Sequence, residues 1–600
     1  MTAGAAIPAG DSAAALPILQ RWVEDFNRAL ESRSEAALAA LFLNDSYWRD
    51  FAACTWDVRT VRGASSIAAA LLAVAEPEKV HEFCLEQGKT VQVVDRPQPW
   101  QRSLEVLVTF DTASIRGRGY VKLVAGPSGE WLAWTLLTTP DELKGHPELT
   151  GSNRPVGELH RPALTWSERR AIEAGFSDRD PEVLVVGAGH SGLSAAARLK
   201  ALGLDTLVVE KNPRVGDNWR TRYRSLNLHN EVWANQMPYL LFPPTWPAYC
   251  SKDKIADWFE SYASILDLNV WTGTSLERAS YSEDARRWTI ELRRADGEVR
   301  TLHPRHLVLA IGVFGEARRI SLPGAGNFQG EIITSQEYRS DPDAAGRRVV
   351  VVGTGSSGHD IAQDYVAHGA DVTMVQRSST CVMNVETTNS LAYALYSEDG
   401  PPLEDADVMA ASTPILLSGE LQRHMSRRMA ELDAGLLSGL HAAGFKTDYG
   451  SDGTGFLMKY YRQGGGYYIN VGASDLIAEG KIKIKNGVEI ADLRERTVVF
   501  TDGSTLPGVD TIVLALGFRN MQDTVRNLLG DSVADAVGPV WGLRADGEVR
   551  GLYCPLGQPG LWIMGGSFVQ CRLMSKVLAI QIKAREVGII DDAAPVRAQA

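Results

Sequence analysis

The chain has 600 residues, of which 44% are hydrophobic and 22% are charged, and its formal net charge is −12. A chain of this length is expected to form about three domains, and its acidity argues against nucleic acid and anionic membrane surfaces, since both bind basic patches. We expect no signal peptide, because the first residues lack a basic region and a long apolar core, and no apolar run approaches the roughly 18 residues that span a bilayer. The six cysteines show neither a CxxC motif nor metal-ligand spacing, so we expect a reduced, cytoplasmic protein without a bound metal.

Residues 1–150 begin with helical periodicity and continue with alternating, aromatic-rich runs, which predicts an α+β unit. The order of elements resembles the cone-shaped SnoaL-like fold, also called nuclear-transport-factor-two-like. Two interpretations stay open: an enzyme pocket with Asp50, Asp57 and His81 as polar groups, or an accessory domain that supports the fold or a homodimer. A polar segment with prolines, residues 151–180, is predicted to be a linker.

Two copies of a GxGxxG fingerprint follow, each directly after a β-branched apolar run. This arrangement is the entry of a βαβ unit that binds a dinucleotide. The first glycine makes the tight turn, the second admits a pyrophosphate and the third lets the helix pack on the strand. The fingerprint residues predicted to bind cofactors are Gly187, Gly189, Ser191, Gly192, Gly353, Gly355, Ser356, Ser357 and Gly358.

The ends of the second strands distinguish the two cofactors. Glu210 follows the first fingerprint at the position where a carboxylate accepts the ribose hydroxyls, which favours FAD. The equivalent residue of the second unit is Gln376, and Arg377 follows it. An uncharged residue beside a guanidinium suits a 2′-phosphate, so the sequence predicts NADPH in the second unit.

Residues 180–585 resemble the flavin-containing monooxygenases, which carry FAD and NADPH on one chain. The resemblance rests on both fingerprints, the Gly-Asp-Asn-Trp run after Glu210, the Phe-x-Gly signature at 328–330 and a closing segment at 512–518. It implies that Asn235 lies beside the flavin ring as a catalytic residue, although an ordinary turn role before Pro238 is the alternative. The other cofactor contacts that it implies are Lys211, Asn218, Trp219, His229, Gly517 and Gln570.

The predicted fold class is therefore α/β, with two Rossmann-type dinucleotide-binding domains, for FAD and NADP, preceded by an α+β cone-shaped domain. The predicted boundaries place the first part of the FAD domain at 181–335 and its C-terminal part at 511–600. The NADP domain is predicted at 336–510, with a helical insertion that borders the substrate channel.

The resemblance also implies the chemistry. NADPH reduces FAD, the reduced flavin reacts with O2 to a flavin hydroperoxide, and one oxygen atom passes to a small organic substrate, as in the N,N-dimethylaniline monooxygenases. A disulfide reductase with two dinucleotides would need a redox CxxC, which the sequence lacks. Besides a monooxygenase and a disulfide reductase, the third class of protein considered is a non-catalytic NADPH-sensing or interaction module.

The reaction type follows from departures from the family pattern. Thr334 stands where the signature has a histidine, and Tyr338 stands where Baeyer-Villiger relatives have a tryptophan. Near the region of their active-site arginine, the chain has a glycine run at 464–466 and Arg462 as the candidate. Because ketone insertion needs positive charge for an oxyanion, we expect oxygenation of a nucleophilic nitrogen or sulfur. The alternatives are Baeyer-Villiger insertion, oxidative decarboxylation of a keto acid and an uncoupled NADPH oxidase.

Overall fold

The computed structural model describes residues 12–95, 102–157, 163–224 and 226–591. The described part of the N-terminal domain consists of three helices and seven strands. Their bounds are α1 (Ser12–Glu31), α2 (Glu35–Ala39), β1 (Phe42–Phe51), β2 (Val58–Arg62), α3 (Ala64–Ala75), β3 (His81–Leu85), β4 (Gln92–Asp95), β5 (Arg102–Asp111), β6 (Ile115–Ala125) and β7 (Trp131–Leu143).

The helices of this domain pack on one sheet. The strands lie in the order β2-β1-β7-β6-β5-β3, and β4 also pairs with β5. The β1–β7 pair is parallel, whereas β5–β6 and β6–β7 are antiparallel. Helix α1 presents Leu19, Trp22 and Phe26 at helical spacing, and all three are buried. The ring of Phe26 lies 4.9 Å from that of Phe83 on β3, so aromatic packing joins helix and sheet.

The segment predicted as a linker, 151–180, contains a helix. This helix, α4 (Trp166–Gly175), begins at Thr165, which forms a capping box with Glu168. Arg170 donates to the carbonyl of Asp267 and to Asn269 Oδ1, so the helix is anchored to the next domain. Residues 158–162 of the predicted linker lie outside the described residues.

The remaining chain forms the two dinucleotide-binding units and an insertion. The first stretch contains β8 (Val183–Val186), α5 (His190–Ala201), β9 (Thr206–Val209), α6 (Asp217–Arg220), α7 (Lys252–Ile265), β10 (Asn269–Trp271), β11 (Thr274–Ser282), β12 (Arg287–Arg294), β13 (Val299–Leu302), β14 (His306–Leu309) and β15 (Phe314–Ala317). The second contains β16 (Glu331–Thr334), β17 (Arg348–Val352), α8 (Ser356–Ala367), β18 (Asp371–Gln376), β19 (Cys381–Asn384), α9 (Val385–Ala392), α10 (Leu403–Ala411), α11 (Ile415–Leu432), α12 (Ala434–Ala442), α13 (Gly455–Gln463), β20 (Tyr467–Asn470), α14 (Ala473–Ala478) and β21 (Ile482–Asn486). The last contains β22 (Ile490–Arg494), β23 (Thr497–Phe500), β24 (Thr505–Leu506), β25 (Thr511–Leu514), β26 (Phe518–Asn520), α15 (Met521–Leu529), α16 (Asp531–Val537), β27 (Leu561–Ile563) and α17 (Phe568–Glu586).

Two parallel five-stranded sheets carry the fingerprints. The first has the order β10-β9-β8-β14-β27 and the second β16-β25-β17-β18-β21. Each fingerprint turn joins a central strand to a helix, β8 to α5 and β17 to α8. Ligands bind at the carboxyl ends of strands in such sheets, so the two turns mark the two cofactor sites.

The domain boundaries differ from the predicted ones. Strands β16 and β25 both belong to the second sheet, where β25 lies between β16 and β17. The second unit therefore begins at 331, before the predicted 336, and extends to 514, past the predicted 510. A short buried apolar strand has the same pattern in either sheet, so the sequence alone did not assign these two strands.

The N-terminal domain is joined to the first dinucleotide-binding unit. Besides its own core, it contributes Phe51, Leu107 and Leu137 to the hydrophobic cluster that contains Leu184 and Val185 of β8. Strand β7 packs against α17, the last helix of the first unit. The described residues contain no helix that is long and apolar enough to cross a membrane.

Candidate dinucleotide and oxygenation site

The first fingerprint turn has the close backbone contacts that its glycines permit. Gly187 has a φ of +103°, and a methyl group built on it would lie 2.6 Å from the carbonyl oxygen of Ala310. A methyl group on Gly192 would lie 1.9 Å from the carbonyl oxygen of Gly187. The first glycine thus makes the turn and the third lets α5 approach β8, as the sequence predicts.

The N-terminus of α5 is open to a ligand. Gly189 is the N-cap residue, and no side chain caps this helix. The side chain of Asn218 lies over the turn, with Nδ2 3.4 Å from a methyl group built on Gly189. The buried Nε1 of Trp219 has no hydrogen-bond partner among the described residues. Uncapped helix amides, an amide side chain and an unsatisfied indole N–H fit the pyrophosphate of a dinucleotide.

Two other residues of this helix face α17 instead. His190 Nε2 lies 2.9 Å from the carbonyl oxygen of Gly566, and Ser191 Oγ lies 3.1 Å from Cys571 Sγ. The side chain of Ser191, which the sequence predicts to bind FAD, therefore contacts the last helix instead. The backbone of Ser191 is the part of the residue that lies at the turn.

Glu210 closes the turn from the end of β9. It is 7% exposed and accepts hydrogen bonds from the backbone N–H of Ala188, at 2.9 Å, and from both the backbone and the side chain of Asn212, at 2.9 and 2.7 Å. These bonds fix the carboxylate beside the fingerprint, where a ribose hydroxyl can donate to its remaining lone pairs. Lys211 is exposed next to it.

The second fingerprint repeats the same geometry. Gly353 has a φ of +112°, and a methyl group on it would lie 2.3 Å from the carbonyl oxygen of Ala515. A methyl group on Gly358 would lie 2.2 Å from the carbonyl oxygen of Gly353, whereas one on Gly355 or Gly517 would meet no atom within 4 Å. The open space above Gly355 is where a pyrophosphate fits.

The two serines of the second fingerprint begin α8. Ser356 Oγ donates to the carbonyl oxygen of Tyr467 at 3.3 Å, and Ser357 is half-buried. Gly355 is the N-cap of this helix and no side chain caps it, so its first amides have the same open donor arrangement as in α5.

Gln376 and Arg377 play different parts. Gln376 is 1% exposed, and its amide bonds both the N–H and the carbonyl of Lys446, at 2.8 and 2.9 Å. Its side chain is occupied by the protein and supports the end of β18. Arg377 has a side chain that is 78% exposed and lies 3.4 Å from Glu489, so it is the residue of this pair that can reach a 2′-phosphate.

The contacts of Asn235 are those of a turn residue. It is 3% exposed, and its Nδ2 donates to the carbonyl oxygens of Asn230, at 2.8 Å, and Glu231, at 3.2 Å. Its catalytic role stays a prediction, and these bonds favour the turn role that the sequence left as the alternative.

His229 lies between the two units. Its Nε2 is 4.0 Å from Asp360 on α8, and its ring packs edge-on against Tyr468 at 6.4 Å. Asp360 also accepts a hydrogen bond from Tyr223 of the first unit. Because Asp360 is on the fingerprint helix of the second unit, these side chains connect the first unit to that helix.

A cluster of tyrosines adjoins the first fingerprint. Tyr460 donates from its hydroxyl to Gln570 Oε1 at 2.9 Å, and Gln570 belongs to the capping box that begins α17. Burial raises the pKa of Tyr460 well above its usual value, and raises that of Tyr461 to about 12. Burial raises the pKa of Tyr467 as well, so these hydroxyls stay protonated and act as donors near neutral pH.

This tyrosine cluster was not predicted from the sequence. Its signal is the pairing of tyrosines on both sides of the glycine run, at 460–461 and 467–468. The run itself has a packing reason, since a methyl group on Gly464 would lie 2.2 Å from the ring of Phe314. Tyr460 also packs against Trp541, with ring centroids 4.9 Å apart. The helical insertion therefore supplies an aromatic wall next to the first cofactor site.

The residues that depart from the family signature have structural partners. Thr334 donates through both its backbone N–H and its hydroxyl to Glu337, at 2.8 Å each. The hydroxyl of Tyr338 donates to Asp364 at 2.6 Å, within the core of the second unit. Arg462 forms an ion pair with Asp452 at 2.7 Å, and its side chain is 49% exposed. The three residues do not come together in one site.

The candidate pocket residues of the N-terminal domain are also dispersed. Asp50 is fully buried and accepts hydrogen bonds from Thr138 and from the backbone and hydroxyl of Thr55. His81 is exposed on β3, which is separated from β1 by three strands, roughly 19 Å at the usual strand spacing. Asp57 lies in the loop between β1 and β2. This arrangement favours the accessory interpretation.

A cavity of about 620 Å³ lies at the seam between the N-terminal domain, the first unit and α10. Its charged groups are largely paired with one another across the seam. These ion pairs are Lys89–Asp405, Arg118–Asp405, Lys576–Asp141 and Arg572–Asp407. The cavity is therefore a domain interface rather than an extension of either fingerprint. Along the described chain, no group of His, Cys, Asp and Glu side chains could hold a metal ion.

Two parallel sheets, each with a glycine turn under an uncapped helix, define a protein with two sites suited to dinucleotides. Residues 184–395 match the family model described as pyridine nucleotide-disulphide oxidoreductase. The chain is 32% identical over 345 residues to indole-3-pyruvate monooxygenase YUCCA1 of Oryza sativa subsp. japonica, which covers 57% of this chain and 77% of that protein. It is 30% identical over 359 residues to probable indole-3-pyruvate monooxygenase YUCCA9 of Arabidopsis thaliana, which covers 59% of this chain and 77% of that protein.

Solved structures share the fold. Cyclohexanone monooxygenase with bound epsilon-caprolactone aligns with a TM-score of 0.50 at 18% identity, over 68% of this chain and 88% of that chain. A cyclohexanone monooxygenase mutant from Rhodococcus sp. Phi1 bound to NADP+ aligns with a TM-score of 0.50 at 16% identity, over 68% and 87%. The chain belongs to the flavin-containing monooxygenase family, whose cofactors are FAD and NADPH. In this family the flavin, once reduced by NADPH, supplies the oxygen chemistry.

Proposed function

We propose that the protein transfers one oxygen atom from O2 to a nucleophilic nitrogen or sulfur of a small organic substrate, while two electrons from NADPH reduce the other oxygen atom to water. The first fingerprint, with Glu210, Asn218 and Trp219, is assigned to FAD, and the second, with Arg377, to NADPH. The substrate lies against the tyrosine cluster at the start of α17.

The charge state of this cluster carries the proposal. Its hydroxyls are protonated donors, and the two arginines beside Tyr461, Arg49 in space and Arg462 in the sequence, each have their own carboxylate. Arg49 is held by Glu548 through two bonds of 2.7 Å, and Arg462 is paired with Asp452. Neither guanidinium is free to stabilise an oxyanion that forms on a carbonyl substrate, whereas a soft nitrogen or sulfur needs no such charge.

Oxidative decarboxylation of a 2-keto acid is the second candidate. It is favoured by the two relatives at 32% and 30% identity, which are named for indole-3-pyruvate. An aromatic wall suits a planar aromatic side chain in either reaction.

Product analysis distinguishes the candidates. The protein, loaded with FAD, is incubated with NADPH, 18O2 and a panel of amines, thioethers, 2-keto acids and ketones, and the products are identified by mass spectrometry. The proposal predicts N-oxides or sulfoxides that carry one 18O. Release of CO2 from 2-keto acids without heteroatom products would favour the second candidate, and lactones or esters would identify a Baeyer-Villiger enzyme.

For the N-terminal domain we propose a SnoaL-like cone with a supporting role. The mixed sheet with its packed helices and the dispersal of Asp50, Asp57 and His81 support this role. A homodimer and a cytoplasmic location stay predictions.

A further inference from the structure

One buried ion pair joins the N-terminal domain to the rest of the chain. Arg49 on β1 donates from Nε and Nη2 to the two carboxylate oxygens of Glu548, at 2.7 Å each, and the two side chains are 9% and 3% exposed. Thr60 on β2 donates to the same carboxylate at 2.6 Å, and Arg49 Nη1 donates to the carbonyl oxygen of Ala411 at 2.8 Å. A planar guanidinium that binds a carboxylate through two bonds and a carbonyl through a third fixes its partners in one geometry. The pair therefore holds four parts of the chain together: β1, β2, the end of α10 and the segment around Glu548.

Glu548 belongs to a hairpin that ends at the tyrosine cluster. Leu543 and Val549 form an antiparallel bridge, and Trp541 donates from its backbone N–H to the carbonyl oxygen of Arg550 at 2.9 Å. At its turn, a methyl group built on Gly547 would lie 2.4 Å from Leu416, so the turn is packed closely against α11. We call residues 541–550 the interface hairpin.

The base of the interface hairpin is strained. Trp541 has a φ of +72°, a left-handed conformation that costs a bulky residue energy and persists only where the surroundings enforce it. Its indole Nε1 donates to the backbone carbonyl of Tyr460 at 2.9 Å, and Tyr460 in turn donates to Gln570 on α17. The position of the tyrosine cluster thus depends on a strained residue that the hairpin holds in place.

We propose that Arg49 is a positioning residue of the oxygenation site: through Glu548 and the interface hairpin, the N-terminal domain holds Trp541 and Tyr460 closed against the start of α17. The closed tyrosine cluster excludes water from the first cofactor site, which is needed because water promotes loss of the activated oxygen as hydrogen peroxide before the substrate can take it. This inference rests on the proposed function, and it makes the N-terminal domain part of the substrate site without giving it a catalytic group.

Other ion pairs across the same seam differ in kind. Lys89, whose side chain is 29% exposed, pairs with Asp405 at 2.7 Å, and Asp405 is also bound by Arg118. Among the described residues, neither the ammonium of Lys89 nor the carboxylate of Asp405 has a hydrogen bond or ion pair to the interface hairpin. Lys89→Gln is therefore a matched control that weakens the domain seam but leaves the hairpin untouched.

Two variants test the role of Arg49. Arg49→Lys keeps the charge but loses the fork and the bond to Ala411, since an ammonium cannot donate along two parallel lines. The double variant Arg49→Met, Glu548→Gln removes both charges, retains an acceptor for Thr60 and avoids a buried unpaired charge, which protects folding. Both are purified with FAD and compared with wild type and with Lys89→Gln.

The first readout does not need a substrate. Hydrogen exchange of residues 541–550 and 460–467 should be roughly tenfold faster in both Arg49 variants, while exchange within the core of the N-terminal domain stays as in wild type. The steady-state oxidation of NADPH without substrate should rise about threefold, while FAD content and the NADPH Michaelis constant stay within about twofold. Lys89→Gln should match wild type in each measurement.

The second readout uses a substrate found by the product panel. The fraction of NADPH electrons recovered as hydrogen peroxide should rise at least about threefold in both Arg49 variants, with a higher substrate Michaelis constant. Unchanged exchange at the interface hairpin would overturn the inference, as would faster exchange with unchanged peroxide yield and NADPH oxidation, because Arg49 would then be only structural. If no panel compound is oxygenated, the proposed function fails, but exchange and substrate-free NADPH oxidation still decide the role of Arg49.

Discussion

The two dinucleotide-binding units have nearly the same fingerprint backbone but differ in what surrounds it. In both, a methyl group on the third glycine would lie about 2 Å from the carbonyl oxygen of the first, at 1.9 Å for Gly192 and 2.2 Å for Gly358. In the first unit, α5 packs against the start of α17 through the contacts of His190 and Ser191. In the second unit, α8 touches the insertion through Ser356.

The difference shows how one scaffold holds two cofactors in different ways. The first site is enclosed by the last helix of its own domain and by a carboxylate bonded to the turn. The second site ends in an exposed arginine, with Gln376 turned inward to Lys446. An enclosed site suits a cofactor that stays bound through many turnovers, and an open site suits a coenzyme that must exchange.

The largest expected effects separate the two units at the third glycine. Gly192→Ala should yield protein without FAD, because the added methyl group cannot fit beside the carbonyl of Gly187 and the turn must open. Gly358→Ala should keep FAD, but the protein should no longer be saturated by NADPH in a titration. Absorbance at 450 nm and NADPH titration of the purified proteins measure the two effects.

Gly435→Ala on α12 is the matched control for these glycine variants. A methyl group there meets no atom within 4 Å, and alanine favours a helix, so both cofactors should bind as in wild type. If Gly192→Ala bound FAD normally, the assignment of the first fingerprint would be wrong.

Glu210→Ala should weaken FAD binding by about 1.5–3 kcal/mol, or roughly tenfold to a hundredfold, through loss of charge-assisted bonds to ribose. The FAD dissociation constant of Glu210→Gln should lie between those of Glu210→Ala and wild type, since its amide oxygen can still accept the hydrogen bond from the Ala188 N–H. Fluorescence titration of apoprotein with FAD measures the dissociation constants. An unchanged constant in the alanine variant would contradict the role of this carboxylate.

Much of this arrangement could be predicted from the sequence, and the reason is that fingerprints are local. The turn, the strand and the helix of each unit lie within about 30 residues, so spacing alone predicted the contacts of Gly187 and Gly192. The inward turn of Gln376 could not be predicted, because its partner Lys446 is 70 residues away. The Arg49–Glu548 pair, 499 residues apart, has no local signal at all.

A smaller effect concerns a buried histidine of the second unit. Burial lowers the pKa of His359 to about 4, and its ring stacks on Tyr468 at 4.0 Å. In the unfolded chain the histidine has a pKa of about 6.5 and takes up this proton first as pH falls, so stability is lost as pH falls from about 6.5 to 4 and is restored above that window. Within this window, each pH unit changes the free energy of unfolding by about 1.4 kcal/mol.

His359→Phe, which keeps the stacking, should therefore lose less thermal stability than wild type between pH 7.5 and 5.5. Differential scanning at the two values compares the shifts in unfolding midpoint. The variant also loses the bond from Nδ1 to the carbonyl of Gly355, so its midpoint at pH 7.5 is the baseline for the comparison. An equal acid shift in both proteins would show that other groups dominate this window.

The smallest expected effect tests the open end of the second site. Arg377→Ala should raise the Michaelis constant for NADPH about tenfold, near 1.4 kcal/mol, and leave that for NADH unchanged, because the guanidinium meets only the 2′-phosphate. The effect is limited because the side chain is 78% exposed, and it should shrink as salt is added.

Glu489→Gln is the paired variant: it releases Arg377 from its 3.4 Å ion pair, so the Michaelis constant for NADPH should stay the same or fall. Initial rates of NADPH and NADH oxidation at two ionic strengths measure both. Equal losses with the two coenzymes would show that Arg377 supports the end of β18 and that the 2′-phosphate is held by another residue.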